Sequence, residues 1–237
     1  MNVPERIVPD EEEPGIVAEH LKRYVFARPL CVGKTVLDAG CGTGYGTAYL
    51  AEAAARVVGV DLSDDALAYA CSRYALPNVV FEQADLERLG LPADSFDVVV
   101  SFEAVEHLEH PDAFLEHAAR VLRPDGVFVG STPRVDATTR EPENPYHRVE
   151  FSPPDFEALL GRHFRSVQLY GQRRLQTTRH RALQRLDVLR LRRRLPFLRH
   201  AASLVGTRAR VDATLDDFEI SRDAIDDATE LVAVCRP

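Results

Sequence analysis

Between residues 35 and 51 the chain leaves itself little choice of conformation. The apolar run Thr35-Val36-Leu37 stops at an acid, Asp38, and passes through Ala39 into four alternating glycines, Gly40, Gly42, Gly44 and Gly46. Thr47-Ala48-Tyr49-Leu50-Ala51 then restores helical spacing. The pattern predicts strand, tight loop, helix. Glycine at every second position removes the β-carbon from one side of the loop, so the main chain can turn sharply and lie against a flat, polar ligand. Spacing separates the ligands that such loops hold. A phosphate-cradling triphosphatase loop ends in Gly-Lys-Ser/Thr, whereas Gly46 is followed by Thr47-Ala48. A dinucleotide fingerprint needs G-x-G-x-x-G, and here the third glycine falls one place early. A carboxylate as close as Asp38 repels a phosphate and pairs well with an ammonium group.

With its leading acid, this stretch resembles motif I of the class I S-adenosylmethionine-dependent methyltransferases, an acid followed by G-x-G-x-G. The resemblance implies an α/β fold with a doubly wound sheet of seven strands, mostly parallel with the last antiparallel. It also implies S-adenosylmethionine as the cofactor, held by Asp38, Gly40, Cys41, Gly42 and Gly44. Val57-Val58-Gly59-Val60-Asp61 follows as a second strand, its terminal acid 21 positions beyond Gly40. An acid roughly 20 positions on, at a strand tip, can accept both hydroxyls of a ribose. By the resemblance, Asp61 takes that role and Leu62 packs on the adenine. Val79-Val80-Phe81 reads as the third strand; the acid beyond it, Asp85, is matched to the adenine amine, with the Leu86 backbone beside it.

Asp97 to Glu103 is almost wholly apolar, as expected of a central parallel strand buried on both faces. In the family the end of this strand lies next to the transferred methyl, which places Phe102, Glu103 and His107 near the chemistry, with Glu106 read as a brace for backbone amides. Ahead of the first strand, Ile16, Val17, Leu21, Tyr24 and Val25 recur at helical spacing over residues 16–27. Similar methyltransferases fold such a helix over the cofactor, so Arg23 or Tyr24 is a candidate for the methionine carboxylate; a solvated helix face with Tyr24 in the core is the other reading. Ser63 is a plausible N-cap for a helix over 64–74. A helix over 114–122, a turn at 123–126 and a fifth strand over 127–133 come next. A helix from Ser152 to Leu160, a sixth strand over 164–170 and a last strand over 230–235 complete the alternation, which predicts ligands at the carboxyl ends of the strands.

After the fifth strand, Asn144-Pro145-Tyr146-His147-Arg148-Val149-Glu150 offers a phenol, an imidazole, a guanidinium and a carboxylate in five positions. It resembles the Asn-Pro-x-His-x-x-Glu stretch of methyltransferases of sugar and polysaccharide biosynthesis. His147 is read either as the base that deprotonates an acceptor or as a structural hydrogen bonder, and His107 is the other candidate base. No paired acids and histidines stand at metal-ligand spacing, so no metal is expected.

The net charge of -8 hides an asymmetry. Residues 171–210 carry twelve arginines against one acid, Asp187, while the remainder is acidic. Leu183, Leu186, Leu189, Leu191, Leu195 and Leu198 recur at threes and fours among those arginines, which predicts helix, broken at Pro196. Three uses stand side by side: packing on the acidic body or on a second copy in a homodimer, binding an anionic carrier such as a nucleotide-linked sugar or a membrane surface, or binding nucleic acid. The acidic body and the lack of a recognition motif disfavour the last. The domain reading is therefore 1–30 as extension and cap helix, 31–172 with 215–237 as the Rossmann-like cofactor domain, and 173–214 as a basic helical insertion. Four scattered cysteines without a CxxC pair, and no apolar run near the ~20 residues of a bilayer span, suit a cytoplasmic protein with reduced thiols. The preferred activity is methylation of a hydroxyl on a sugar, glycan or other small natural product. The rivals are N-methylation of an amino sugar or other amine, a non-catalytic cofactor-binding partner, and a nicotinamide-dependent reductase.

Overall fold

The computed structural model describes residues 7–175 and 213–237. The helical reading of Leu183 to Leu198 lies outside them. Chain order runs α1 (Pro14–Cys31), β1 (Thr35–Ala39), α2 (Tyr45–Ala51), β2 (Arg56–Asp61), α3 (Asp64–Arg73), β3 (Val79–Gln83), β4 (Phe96–Phe102), α4 (Pro111–Val121) and β5 (Leu122–Pro133). It continues with α5 (Pro153–Leu160), β6 (Ser166–Arg174), β7 (Phe218–Ser221) and β8 (Glu230–Arg236). These thirteen elements contribute to one α/β unit whose sheet order is β3-β2-β1-β4-β5-β8-β6-β7.

The first five strands pair in parallel, and β8 enters antiparallel between β5 and β6. The sheet has eight strands rather than the expected seven, because Phe218–Ser221 pairs antiparallel with the end of β6. That edge strand, Phe218-Glu219-Ile220-Ser221, alternates apolar and polar residues, but over four positions inside an acidic stretch the pattern is too short to announce a strand. Arg173 and Arg174, assigned by sequence to the basic insertion, belong to β6 instead. Arg173 pairs with Glu219 of β7 at 2.8 Å and with Asp227 at 3.3 Å. The predicted turn at 123–126 is likewise absorbed into β5, with an irregular register against β4 between Phe96 and Val98.

Strand alternation distributes the core over both faces of the sheet. Val36, Val98, Val100, Phe102 and Val129 face α1 and α2, while Leu37, Val99 and Phe128 face α4 and α5. In α4 the buried positions Phe114, Leu115, Ala118 and Val121 fall on one helical stripe, which seats that helix on its face. Burial of Phe114, Leu115 and Val121 contributes on the order of 1.5–3 kcal/mol each. With both faces covered, a ligand approaches β1, β2 and β4 at their ends, and in open α/β sheets it binds at the carboxyl ends. Ser63 caps α3 as expected, its side chain accepting from the Ala66 N–H at 3.3 Å. Among the described residues no helix is long and apolar enough to cross a membrane.

Candidate active site

The glycine loop closes the end of β1 through three left-handed residues. Gly40, Gly42 and Gly44 have φ of +83°, +53° and +82°, a region that an L side chain occupies only at a cost. Their surroundings differ. A β-carbon on Gly44 would lie 2.7 Å from Ala70 Cβ, so that glycine lets the loop pack on α3. One on Gly42 would meet no protein atom within 4 Å, so that side of the loop faces open space. One on Gly46 would enter the Tyr24 ring at 2.0 Å, so this glycine makes room for α1.

In front of the loop lies a cavity of about 410 Å³ at the carboxyl ends of β1, β2 and β4, a size usual for small-molecule sites. Of the residues expected to hold the cofactor, Gly40, Cys41, Gly42, Asp61, Leu62, Asp85, Leu86, Phe102 and Glu103 line it, and His107 stands at its wall. Asp61 accepts from the Gly42 N–H at 2.9 Å and from the Ser63 N–H at 3.0 Å, which fixes its carboxylate against the loop. Leu62 is 66% exposed, an apolar face offered to the open side. Asp85 accepts from the Glu87 N–H at 2.9 Å and so caps the turn that carries Leu86. Glu103 is one of two non-glycine residues with positive φ among those described, at +51°, a strained conformation of the kind stored at functional sites. Its carboxylate accepts from the Ser131 hydroxyl at 2.6 Å.

Three expected residues stand behind this wall rather than in it. Asp38 is fully buried beneath the loop, accepting from the Thr47 hydroxyl at 2.6 Å and from the Tyr24 hydroxyl at 3.3 Å. Burial pushes its pKa up to about 7, against the pull of those two donors. Tyr24 packs edge-on against Phe102 and Tyr45, with ring centroids at 4.9 and 5.7 Å. It is a pillar under Gly46, the core placement that its helical register allowed. Gly44 serves as the residue preceding α2.

His147 lies outside the cavity lining, next to His107, with ring centroids 4.9 Å apart. Its Nδ1–H donates to Glu150 at 2.8 Å, and His107 Nδ1–H donates to the Tyr146 carbonyl at 3.0 Å. Beside them Glu106 is fully buried; burial first, then the nearby Glu103 carboxylate, hold its pKa well above the usual carboxylate range. Thr132 donates to one of its oxygens at 3.1 Å.

The sequence did not single out His20, Thr43, Tyr45, Ala104 or Tyr146 as part of this wall. His20 had a signal, the dense polar run Glu19 to Tyr24 on an otherwise apolar helix. Its pKa is pushed down to about 3 by burial and then by the charge of Arg23, whose guanidinium donates to His20 Nδ1 at 2.8 Å. Arg23 itself is buried, with Glu103 and Glu230 keeping it charged against the effect of burial. Ile7, whose carbonyl accepts from Thr43 at 2.6 Å, brings the chain before α1 to the mouth of the cavity.

A carboxylate beside glycine amides, a second acid at the next strand tip and apolar side chains between them line a crevice at the carboxyl edge of the sheet, where open α/β sheets bind their ligands. Residues 37–130 match the family model described as a methyltransferase domain. A probable S-adenosylmethionine-dependent methyltransferase of Mycolicibacterium smegmatis is 39% identical over 160 residues, which are 66% of this chain and 62% of that protein. A fatty-acid O-methyltransferase of the same organism is 38% identical over 108 residues, 44% of this chain and 39% of that one. The solved structure of the Burkholderia thailandensis 1,6-didemethyltoxoflavin-N1-methyltransferase, with bound 1,6-didemethyltoxoflavin and S-adenosylhomocysteine, aligns with a TM-score of 0.55 at 26% identity. That alignment covers 69% of this chain and 73% of the other. The chain thus spans 62% of the length of the first relative. Together these matches make the chain similar to S-adenosylmethionine-dependent methyltransferases over this region. They also support S-adenosylmethionine as its cofactor.

Proposed function

We propose that the protein is an S-adenosylmethionine-dependent methyltransferase acting on a hydroxyl of a sugar, glycan or other small natural product. The observation that carries this reading is the meeting of Gly40, Gly42, Asp61, Asp85 and Phe102, from four separate strand tips, around one cavity. When bound, the cofactor supplies a methyl group already activated on a sulfonium. The chain's task is then to grip, align and handle a proton. In this reading Asp61 accepts the ribose hydroxyls, Leu62 and Leu86 flank the adenine, and Asp85 accepts from its amine. The loop of Gly40, Cys41 and Gly42 takes the amino-acid end, with Asp38 acting from beneath it. Glu103 and Phe102 face the methyl end.

A hydroxyl must give up its proton as its oxygen bonds to carbon, and an imidazole is suited to receive one near neutrality. His107 lies at the cavity wall and His147 beside it, so the pair is the proposed base. Assay of a panel of hydroxyl acceptors tests this. His107→Ala and His147→Ala are expected to lower turnover by about 10²-fold or more while S-adenosylhomocysteine binds as before. Equal turnover in both variants would remove the base assignment. N-methylation is the second reading, favoured by the Glu103 carboxylate at the methyl end, which suits a cationic amine; product analysis separates the two. Normal cofactor affinity with no turnover on any acceptor would favour a non-catalytic binding partner. The arginine-rich segment remains a proposed contact for an anionic carrier, a membrane surface or a second copy.

A further inference from the structure

We propose that Glu106, His107 and His147 form a site for one divalent transition-metal cation behind the cavity wall at His107. His147 stands about forty positions beyond the other two, and the fold brings one ligand atom of each to within 4.8 Å of the others. Main-chain bonds hold that approach: the Glu106 carbonyl accepts from the Arg148 N–H at 2.7 Å and from the Val149 N–H at 3.3 Å.

An independent observation points to a ligand. Glu106 Oε1 is buried and has no hydrogen-bond partner among the described residues. A buried carboxylate oxygen without a partner is costly, and a coordinated cation removes that cost. Arg23 is the guanidinium facing Glu106, and it is shared with Glu103 and Glu230.

Hydrogen bonds set the tautomer of both imidazoles. His107 Nδ1–H is committed to the Tyr146 carbonyl and His147 Nδ1–H to the Glu150 carboxylate, which leaves Nε2 as the lone-pair nitrogen on each ring. Such outer hydrogen bonds fix the tautomer and raise the basicity of a metal-binding histidine. Two imidazoles and one carboxylate suit manganese, iron, cobalt, nickel or zinc better than magnesium or calcium. Ligands ~2.1 Å from one tetrahedral or octahedral cation stand roughly 3.0–3.4 Å apart when adjacent, so the three side chains close on the ion by rotamer adjustments on the order of 1 Å. Asn144 Nδ2, 3.0 Å from His147 Nε2, is the group that gives way. A bound cation engages the lone pair of each imidazole, so in the loaded site it takes the place of the imidazole base by lowering the pKa of a bound acceptor hydroxyl; that consequence rests on the methyl-transfer reading, and the binding itself does not.

The test uses untagged, chelator-stripped full chain titrated with Co²⁺, followed by its visible absorption and by calorimetry. One Co²⁺ per chain is expected, with at least tenfold weaker binding in Glu106→Gln and in His147→Ala and unchanged affinity for S-adenosylhomocysteine. Co²⁺ uptake no greater than in the Glu106→Gln, His107→Ala, His147→Ala triple variant, or wild-type affinity in Glu106→Gln, would overturn the site. Should the triple variant fail to bind S-adenosylhomocysteine, Glu150→Gln replaces it. That change reaches the cation only through His147, so a tenfold loss of Co²⁺ affinity supports the site and an unchanged affinity refutes it. Loss of S-adenosylhomocysteine binding in the wild type with Co²⁺ binding intact would refute the cofactor reading and leave the cation site standing.

Discussion

Asp38 carries its carboxyl group into a fully buried position at the end of β1, where Thr47 and Tyr24 donate to it and solvent does not reach. With its pKa lifted by burial to about 7, the native state keeps a proton that the unfolded chain has lost. Stability therefore falls as pH rises from the unfolded value near 3.8 to about 7, and is level above that. The span corresponds to roughly 4 kcal/mol at most. Asp38→Asn removes the titration while keeping an oxygen for Thr47. Urea unfolding at pH 4 and pH 8 should show wild type losing a few kcal/mol relative to this variant. A difference between the two proteins that does not change with pH would contradict the buried, protonated carboxyl group.

At the scale of elements, the glycine loop serves two neighbours, and single alanines separate them. Gly42→Ala places a methyl group where no protein atom stands, so its cost to folding is only the left-handed backbone, about 1–2 kcal/mol. Its effect on binding is expected to be larger, with S-adenosylhomocysteine affinity falling at least tenfold. Gly46→Ala acts on the other side. Its methyl group collides with Tyr24, and overpacking of that kind costs about 1–3 kcal/mol. Tyr24→Ala should relieve the clash, so the double variant is expected to be more stable than the sum of the two single changes predicts. Strict additivity in thermal melts would show that α1 does not rest on the loop.

Across the whole molecule, legibility follows the physics of each part. β1, β2, β4 and β8 were readable because both faces of a central strand are buried and the residues say so, as in Val98-Val99-Val100. The tips were readable because glycines and acids have few other uses at strand ends. β7 was not, since the alternation of Phe218 and Ile220 with Glu219 and Ser221 spans only four residues, and the strand takes its place from pairing with β6. Tyr24 and Asp38 were named from sequence, but spacing along the chain cannot tell the front of a loop from its back. The meeting of Glu106 and His107 with His147 was hidden for another reason: it depends on where the segment after β5 returns, which the Glu106 carbonyl sets by accepting from Arg148 and Val149. His20 reaches the cavity from α1, an element whose position over the sheet is a tertiary fact.

One claim underlies the others: the cavity before the glycine loop grips an adenosyl cofactor through the carboxylate at the tip of β2. Calorimetric titration of S-adenosylhomocysteine into the wild type and into Asp61→Ala, with folding of the variant verified by its melting transition, addresses it directly. Loss of a charge-assisted bond to the ribose is worth about 1.5–3 kcal/mol, so dissociation is expected to be roughly 10- to 100-fold weaker in the variant. Equal affinity in the two proteins, or no binding to the wild type, would contradict the account.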